Sequence, residues 1–101
     1  MIAKEMFEKL GFYYEERDYG FSYDAYDSET GWLRFVAFDI KNKTVEIHRI
    51  NIYWNYETKY TKHTHLDKAI NKQVEELGWN KWQEKKSIKE LWYVKRKQEI
   101  F

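Results

Sequence analysis

Two patterns in this 101-residue chain could carry out a reaction or hold a metal. Asp39-Ile40-Lys41 has the Asp-x-Lys ending of a magnesium-dependent phosphodiester-cleaving site, with Asp24 or Asp27 upstream as the second acid. In such a site both carboxylates share one ion and the lysine stands beside the attacking water. The same residues run straight into Asn42-Lys43, so the acid and the lysine also read as the two flanks of a hairpin turn. His63 and His65 stand two apart, which on a strand puts both on one side, as a metal pair requires. The sequence has no cysteine to complete a site, and His48 bears no spacing relation to the pair, so no metal and no cofactor is expected. With no Gly-rich phosphate loop, no Gly-x-Ser-x-Gly elbow and no thiol nucleophile in the sequence, the chain reads as a non-enzyme.

A third pattern suits binding. In residues 53–65, Tyr53, Trp54, Tyr56 and Tyr60 alternate with Lys59, Lys62 and the histidines. Rings stack on unpaired bases while cations neutralise phosphates, and the same rings also anchor protein interfaces. A further basic set lies near the C-terminus, with Lys85, Lys86, Trp92, Lys95, Arg96 and Lys97. Charge is unevenly spread behind a net of +1. Residues 1–31 hold three basic against eight acidic side chains, and residues 84–97 hold six basic against two acidic ones. Five Trp, nine Tyr and six Phe are more rings than one small core shelters, and the surplus is expected to face a partner or a second copy of the chain.

The elements that would position these residues can be read from periodicity. Ile2, Met6, Phe7 and Leu10 recur at helical spacing and Gly11 offers a stop, which predicts a helix over 2–10. Residues 12–17 and 21–26 are aromatic and alternating around Asp18-Tyr19-Gly20, a hairpin. Residues 32–40 are apolar at nearly every position, as in a strand covered on both faces. After Lys41-Asn42-Lys43, residues 44–48 alternate, and the phase then slips at Arg49 as a bulge would make it. Leu66, Ala69, Ile70, Val74 and Leu77 line one face of a helix bounded by Thr64 and Gly78. Ser87-Ile88-Lys89-Glu90 has the form of a capping box and favours a basic C-terminal helix over a last strand at 91–94. The expected fold is therefore a single α+β domain over 1–101. It comprises an N-terminal helix, a four-stranded antiparallel sheet, a packed helix at 65–77 and a C-terminal helix, with a compact core in 1–80 and a basic aromatic tail in 81–101.

Hydrophobic residues make up 43% and charged residues 35%, and no run approaches the ~18 apolar residues of a membrane span. Met1-Ile2-Ala3-Lys4-Glu5-Met6 is charged where a signal peptide is apolar, so a cytoplasmic location without membrane attachment is expected. Phe7-Glu8-Lys9-Leu10-Gly11-Phe12, the Tyr- and Asp-rich strands after it, and Gln73-Val74-Glu75-Glu76-Leu77-Gly78-Trp79 look similar to small uncharacterised proteins from phages and prophages of Gram-positive bacteria. The resemblance covers roughly residues 1–80 and is sharpest from Ala69 to Trp79. It implies an accessory protein that binds a host or phage macromolecule, first of all a protein, and that inhibits a defence system. The readings set against it are a nucleic-acid binder and a small magnesium-dependent nuclease.

Overall fold

The computed structural model describes residues 1–58, 64–79 and 83–84. Helix α1 (Ala3–Lys9) leads into strands β1 (Tyr13–Arg17), β2 (Gly20–Asp27), β3 (Trp32–Asp39), β4 (Thr44–Asn51) and β5 (Tyr56–Thr58). Helix α2 (Thr64–Glu76) follows, and a short strand β6 (Gln83–Glu84) comes last. The class is α+β. Strands β1 to β5 form an antiparallel meander in chain order, and β6 adds in parallel to the start of β4. The sheet thus has five antiparallel strands rather than the four expected. The fifth is built from Tyr56 and its neighbours, which pair with Arg49 to Asn51. The aromatic segment after β4 therefore returns as an edge strand instead of leaving the sheet. The expected C-terminal helix lies outside the described residues.

Strand β3 is the middle of the sheet. Phe35, Val36, Ala37 and Phe38 are all buried, and consecutive strand residues point to opposite sides, so both faces are closed here. On one face Phe21, Tyr23, Val36, Phe38, Val45 and Ile47 meet Phe7 from α1 and Leu66, Ala69, Ile70 and Val74 from α2. Rings dominate this layer: Phe7 stacks on Tyr23 at 3.9 Å, and Phe38 lies 5.0 Å from Phe21. The opposite face holds a smaller apolar group of Phe35, Ala37 and Ile50, flanked by Leu33 and Ile52.

This two-sided layout accounts for the phase slip in β4. The β3–β4 register runs unbroken from Asp39↔Thr44 to Trp32↔Asn51, with no bulge. Val45 and Ile47 serve the helix-covered face, whereas Ile50 serves the other. The apolar residues change face along a regular strand.

The helices fix each other. Residue for residue, α1 is short, seven positions, and would be marginal alone. Its first amide, Ala3 N–H, donates to Glu76 Oε2 at 2.7 Å, and Glu5 reaches back to Ile2 N–H at 3.1 Å. A carboxylate at the C-terminal end of α2, where the helix dipole disfavours it, is used at the N-terminal end of α1, where the dipole favours it. After α2, Gly78 adopts φ +74° and Trp79 turns back into the core.

Tyr23 O–H donates to Gln73 Oε1 in the buried layer between sheet and α2. Burial above all, with the nearby charge of Glu76, pushes the Tyr23 phenol well above its ordinary value of 10.0. Tyr23→Phe leaves the Gln73 carbonyl without its donor and should lower stability by about 1–3 kcal/mol in urea unfolding. A raised phenol stabilises the fold below the unfolded value and loses that contribution as pH rises through the folded one. Wild-type stability should therefore fall above about pH 10, and Tyr23→Phe should flatten that fall.

Candidate functional site

Four exposed rings, Tyr26, Tyr53, Trp54 and Tyr56, gather at one end of the sheet, where the β2–β3 and β4–β5 connections meet. Asp27 Oδ1 accepts from Glu29 N–H at 3.0 Å and Thr30 N–H at 3.4 Å, and Gly31 N–H closes the turn on Asp27 carbonyl oxygen at 2.8 Å. Hydrogen bonds from Thr30, first of all its side chain, and from Glu29 N–H hold the Asp27 carboxyl below its usual value. Gly31 has φ +81°, and a Cβ there would sit 2.5 Å from the Tyr53 ring, so glycine is what lets that ring lie flat against the turn. Tyr53 O–H donates to Ser28 carbonyl oxygen, and Tyr26 O–H donates to the Tyr53 oxygen at 3.3 Å. Across the next turn, Asn51 Oδ1 accepts from Tyr53 N–H and Trp54 N–H, both at 3.1 Å, while its Nδ2 donates to Thr30 carbonyl oxygen at 3.0 Å. One asparagine side chain therefore ties both connections together.

What this scaffold presents is aromatic. Trp54 is 80% exposed, Tyr53 and Tyr56 are each 57% exposed, and Tyr26 is 49% exposed. Beside them, Arg34 on β3 and Arg49 on β4 are directly opposite in register. The Arg49 guanidinium carbon lies 3.8 Å from the centre of the Trp32 ring, and that of Arg34 lies 5.1 Å from the centre of Phe12. Tyr56 meets Trp32 edge to face at 6.5 Å. An open groove of about 790 Å³ runs along this end, lined among others by Tyr13, Tyr26, Trp32, Arg34 and Arg49, with Glu15, Asp24 and Asp27 also on its walls. Two smaller hollows, of about 180 and 50 Å³, are too small for a drug-sized ligand.

A second polar group lies on the sheet face that α1 and α2 leave uncovered. His48 is 3% exposed. Its Nε2 is 2.6 Å from Glu46 Oε1, and its Nδ1 is 3.1 Å from Glu57 Oε1. The register explains the arrangement: Glu46 and His48 are two apart on β4, and Glu57 comes from β5 beside Ile50. The Nε2–Glu46 contact is a hydrogen bond, whereas Nδ1 and Glu57 Oε1 are near one another without the alignment of one. The two carboxylates approach opposite edges of the ring, so the three side chains do not converge on a common point. Removing the ring takes the hydrogen-bond partner from the buried Glu46 carboxylate. His48→Ala should therefore cost about 3–5 kcal/mol in chemical denaturation, and Glu46→Gln in that background should restore part of it.

Of the sequence-predicted binding residues, Tyr53, Trp54 and Tyr56 come together at the sheet end. Lys59, Tyr60, Lys62, Lys85, Lys86, Trp92, Lys95, Arg96 and Lys97 lie outside the described residues, as does His63; His65 is exposed on α2. The acids of the Asp-x-Lys pattern occupy separate places. Asp39 accepts from the Asn42 backbone and side chain across the β3–β4 turn, at 3.0 and 2.9 Å. Asp24 binds Arg17 at 2.5 Å and Ser22 at 2.7 Å. Asp39 stands opposite Gly20 and Asp24 lies four residues further along β2, about 13 Å away along the strand. Among the described residues, no group of three or more His, Asp or Glu side chains is placed to hold a metal ion. No helix among them is long and apolar enough to cross a membrane.

Sequence reasoning missed Arg34, Arg49 and the Glu46–His48–Glu57 group. Glu46-x-His48 carried a signal, since spacing of two places both side chains on one face of a strand. Comparison with protein-family models, with curated proteins and with solved structures finds no match to this chain.

Gly31→Ala forces a side chain into a left-handed backbone and into the Tyr53 ring. It should lower stability by roughly 1–2 kcal/mol and raise the mobility of Tyr53, visible as altered NMR line widths for that ring.

Proposed function

We propose that this chain is a non-enzymatic accessory protein of phage or prophage type that binds a host protein through the aromatic end of its sheet. Inhibition of a defence system is the activity that such binding would serve. The observation that carries the reading is the rigidly mounted group of exposed rings, Tyr26, Tyr53, Trp54 and Tyr56, next to two arginines. Trp, Tyr and Arg are the side chains that most often dominate protein interfaces, because they bury large areas with little loss of conformational freedom. Rings tethered by Asn51 and Gly31 are already held in position, which lowers the entropic cost of binding. The mixed charge of the groove favours a protein over a nucleic acid. Glu15, Asp24 and Asp27 line it together with the arginines, and a polyphosphate backbone would have to pass those carboxylates. The resemblance of residues 1–80 to phage and prophage proteins points to a host partner.

Capture from host lysate on the immobilised chain tests this. A defined protein should be retained after nuclease treatment and lost when Trp54→Ala or Tyr56→Ala is the bait. Trp54 is 80% exposed, so its removal should leave thermal stability within about 0.5 kcal/mol of wild type. Retention that is indifferent to both substitutions, or that disappears with nuclease, overturns the reading.

A further inference from the structure

Apolar side chains also reach the surface away from the sheet, along the seam between the two helices. Met6 on α1 and Leu10 at its C-terminal cap stand four apart and share one side, and His65 and Lys68 stand three apart on α2. With Met1 and Lys9 they line a hollow of about 180 Å³. Phe7 carries α1 into the core, whereas Met6 and Leu10 are only half-buried, and Met1 and Ile2 ahead of the helix are 65% and 54% exposed. The rim of the hollow is basic. None of the described residues that line it is acidic, and Lys9 and Lys68, both exposed, form no ion pair among the described residues. Other charges on the same helices are already engaged. Lys4 lies over the Tyr14 ring and Lys72 faces Glu75, while Glu5 and Glu76 accept from the Ile2 and Ala3 amides.

We propose that this hollow receives one leucine-sized side chain from an acidic segment of a protein partner. A space of about 180 Å³ is well below that of a small-molecule pocket and suits a single aliphatic anchor. Methionine fits such a floor because its unbranched, polarisable side chain adapts to the shape it meets. Carboxylates on either side of the anchor meet Lys9 from α1 and Lys68 from α2, so the rim charge selects the sign of the segment while the floor selects its anchor. The surface belongs to the helices, whereas Tyr53, Trp54 and Tyr56 belong to the sheet end. It is therefore a second contact, beyond the one assigned above.

The chain has only two methionines and both line the hollow, so methyl-labelled methionine gives two NMR signals that report on it directly. The full chain is titrated at constant ionic strength with a capped Glu-Glu-Leu-Glu-Glu peptide, its counterpart with alanine for leucine and its counterpart with lysine for every glutamate. The acidic leucine peptide should shift both methyl signals saturably, and each counterpart should bind at least about tenfold more weakly. Lys9→Glu with Lys68→Glu should exchange the preference, so that the basic peptide binds more tightly than the acidic one. Lys9→Gln with Lys68→Gln, which adds no new charge, should weaken the acidic peptide about tenfold without favouring the basic one. No shift from the acidic peptide, equal binding of the basic counterpart, or an acidic preference that survives both double substitutions overturns the proposal. Methyl signals that move on dilution of the chain alone overturn it in favour of a second copy. Trp54→Ala should leave the titration unchanged, and loss of peptide binding in that variant overturns the assignment to the helices. Because the titration does not use the host partner, its failure is separable from failure of the capture experiment.

Discussion

The burial of β3 on both faces is the constraint on which the rest of the structure depends. Four consecutive residues, Phe35 to Phe38, are all removed from solvent, so the sheet cannot have one wet side at its centre. One face takes the two helices and an almost wholly aromatic and aliphatic layer. The other accepts a smaller apolar group together with buried polar side chains, Ser22, Asp39, Glu46 and His48. Those polar groups are tolerable because each has a partner close by, in Asp24, Asn42 or one another. The two faces therefore do different work: one holds the fold together by area, and the other is specified by geometry.

The same strand separates the interior from the surface along its length. Towards Asp39 its residues are deeply buried, whereas at Trp32, Leu33 and Arg34 they become half-exposed. The two turns at that end are joined through Asn51, which holds exposed tyrosines and a tryptophan in fixed positions without placing them in the core. A surface of this kind needs a rigid base, and the hydrogen-bonded ladder of β3 with β4 supplies it.

Much of the fold was legible in the sequence. The first helix, both early hairpins, the doubly buried third strand and α2 follow from spacing and from glycines at Gly11, Gly20 and Gly78. The fifth strand was not legible. Tyr56, Glu57 and Thr58 are a short run inside a segment whose rings and lysines suggest a binding loop, and strand pairing over three residues depends on β4 being in place first. The slip at Arg49 looked like a bulge because apolar phase alone cannot tell a bulge from a regular strand that serves one core and then another. In the site, Tyr53, Trp54 and Tyr56 were visible by type. Arg34 and Arg49 were not, since each is an ordinary charged residue until the β3–β4 turn fixes the register that sets them face to face.

The bond between Glu76 and Ala3 has a consequence for synthesis of the chain. A helix of seven residues does not hold itself together in water, and the carboxylate that caps it lies 73 positions later. Phe7 likewise needs the ring of Tyr23 beneath it and α2 above. On the ribosome, α1 emerges ahead of the strands and is thus among the last of these elements to acquire its final shape. The meander of β1 to β4, whose neighbours are adjacent in sequence, can assemble while translation is still under way, and the N-terminal segment closes over it only once the end of α2 is free of the exit tunnel.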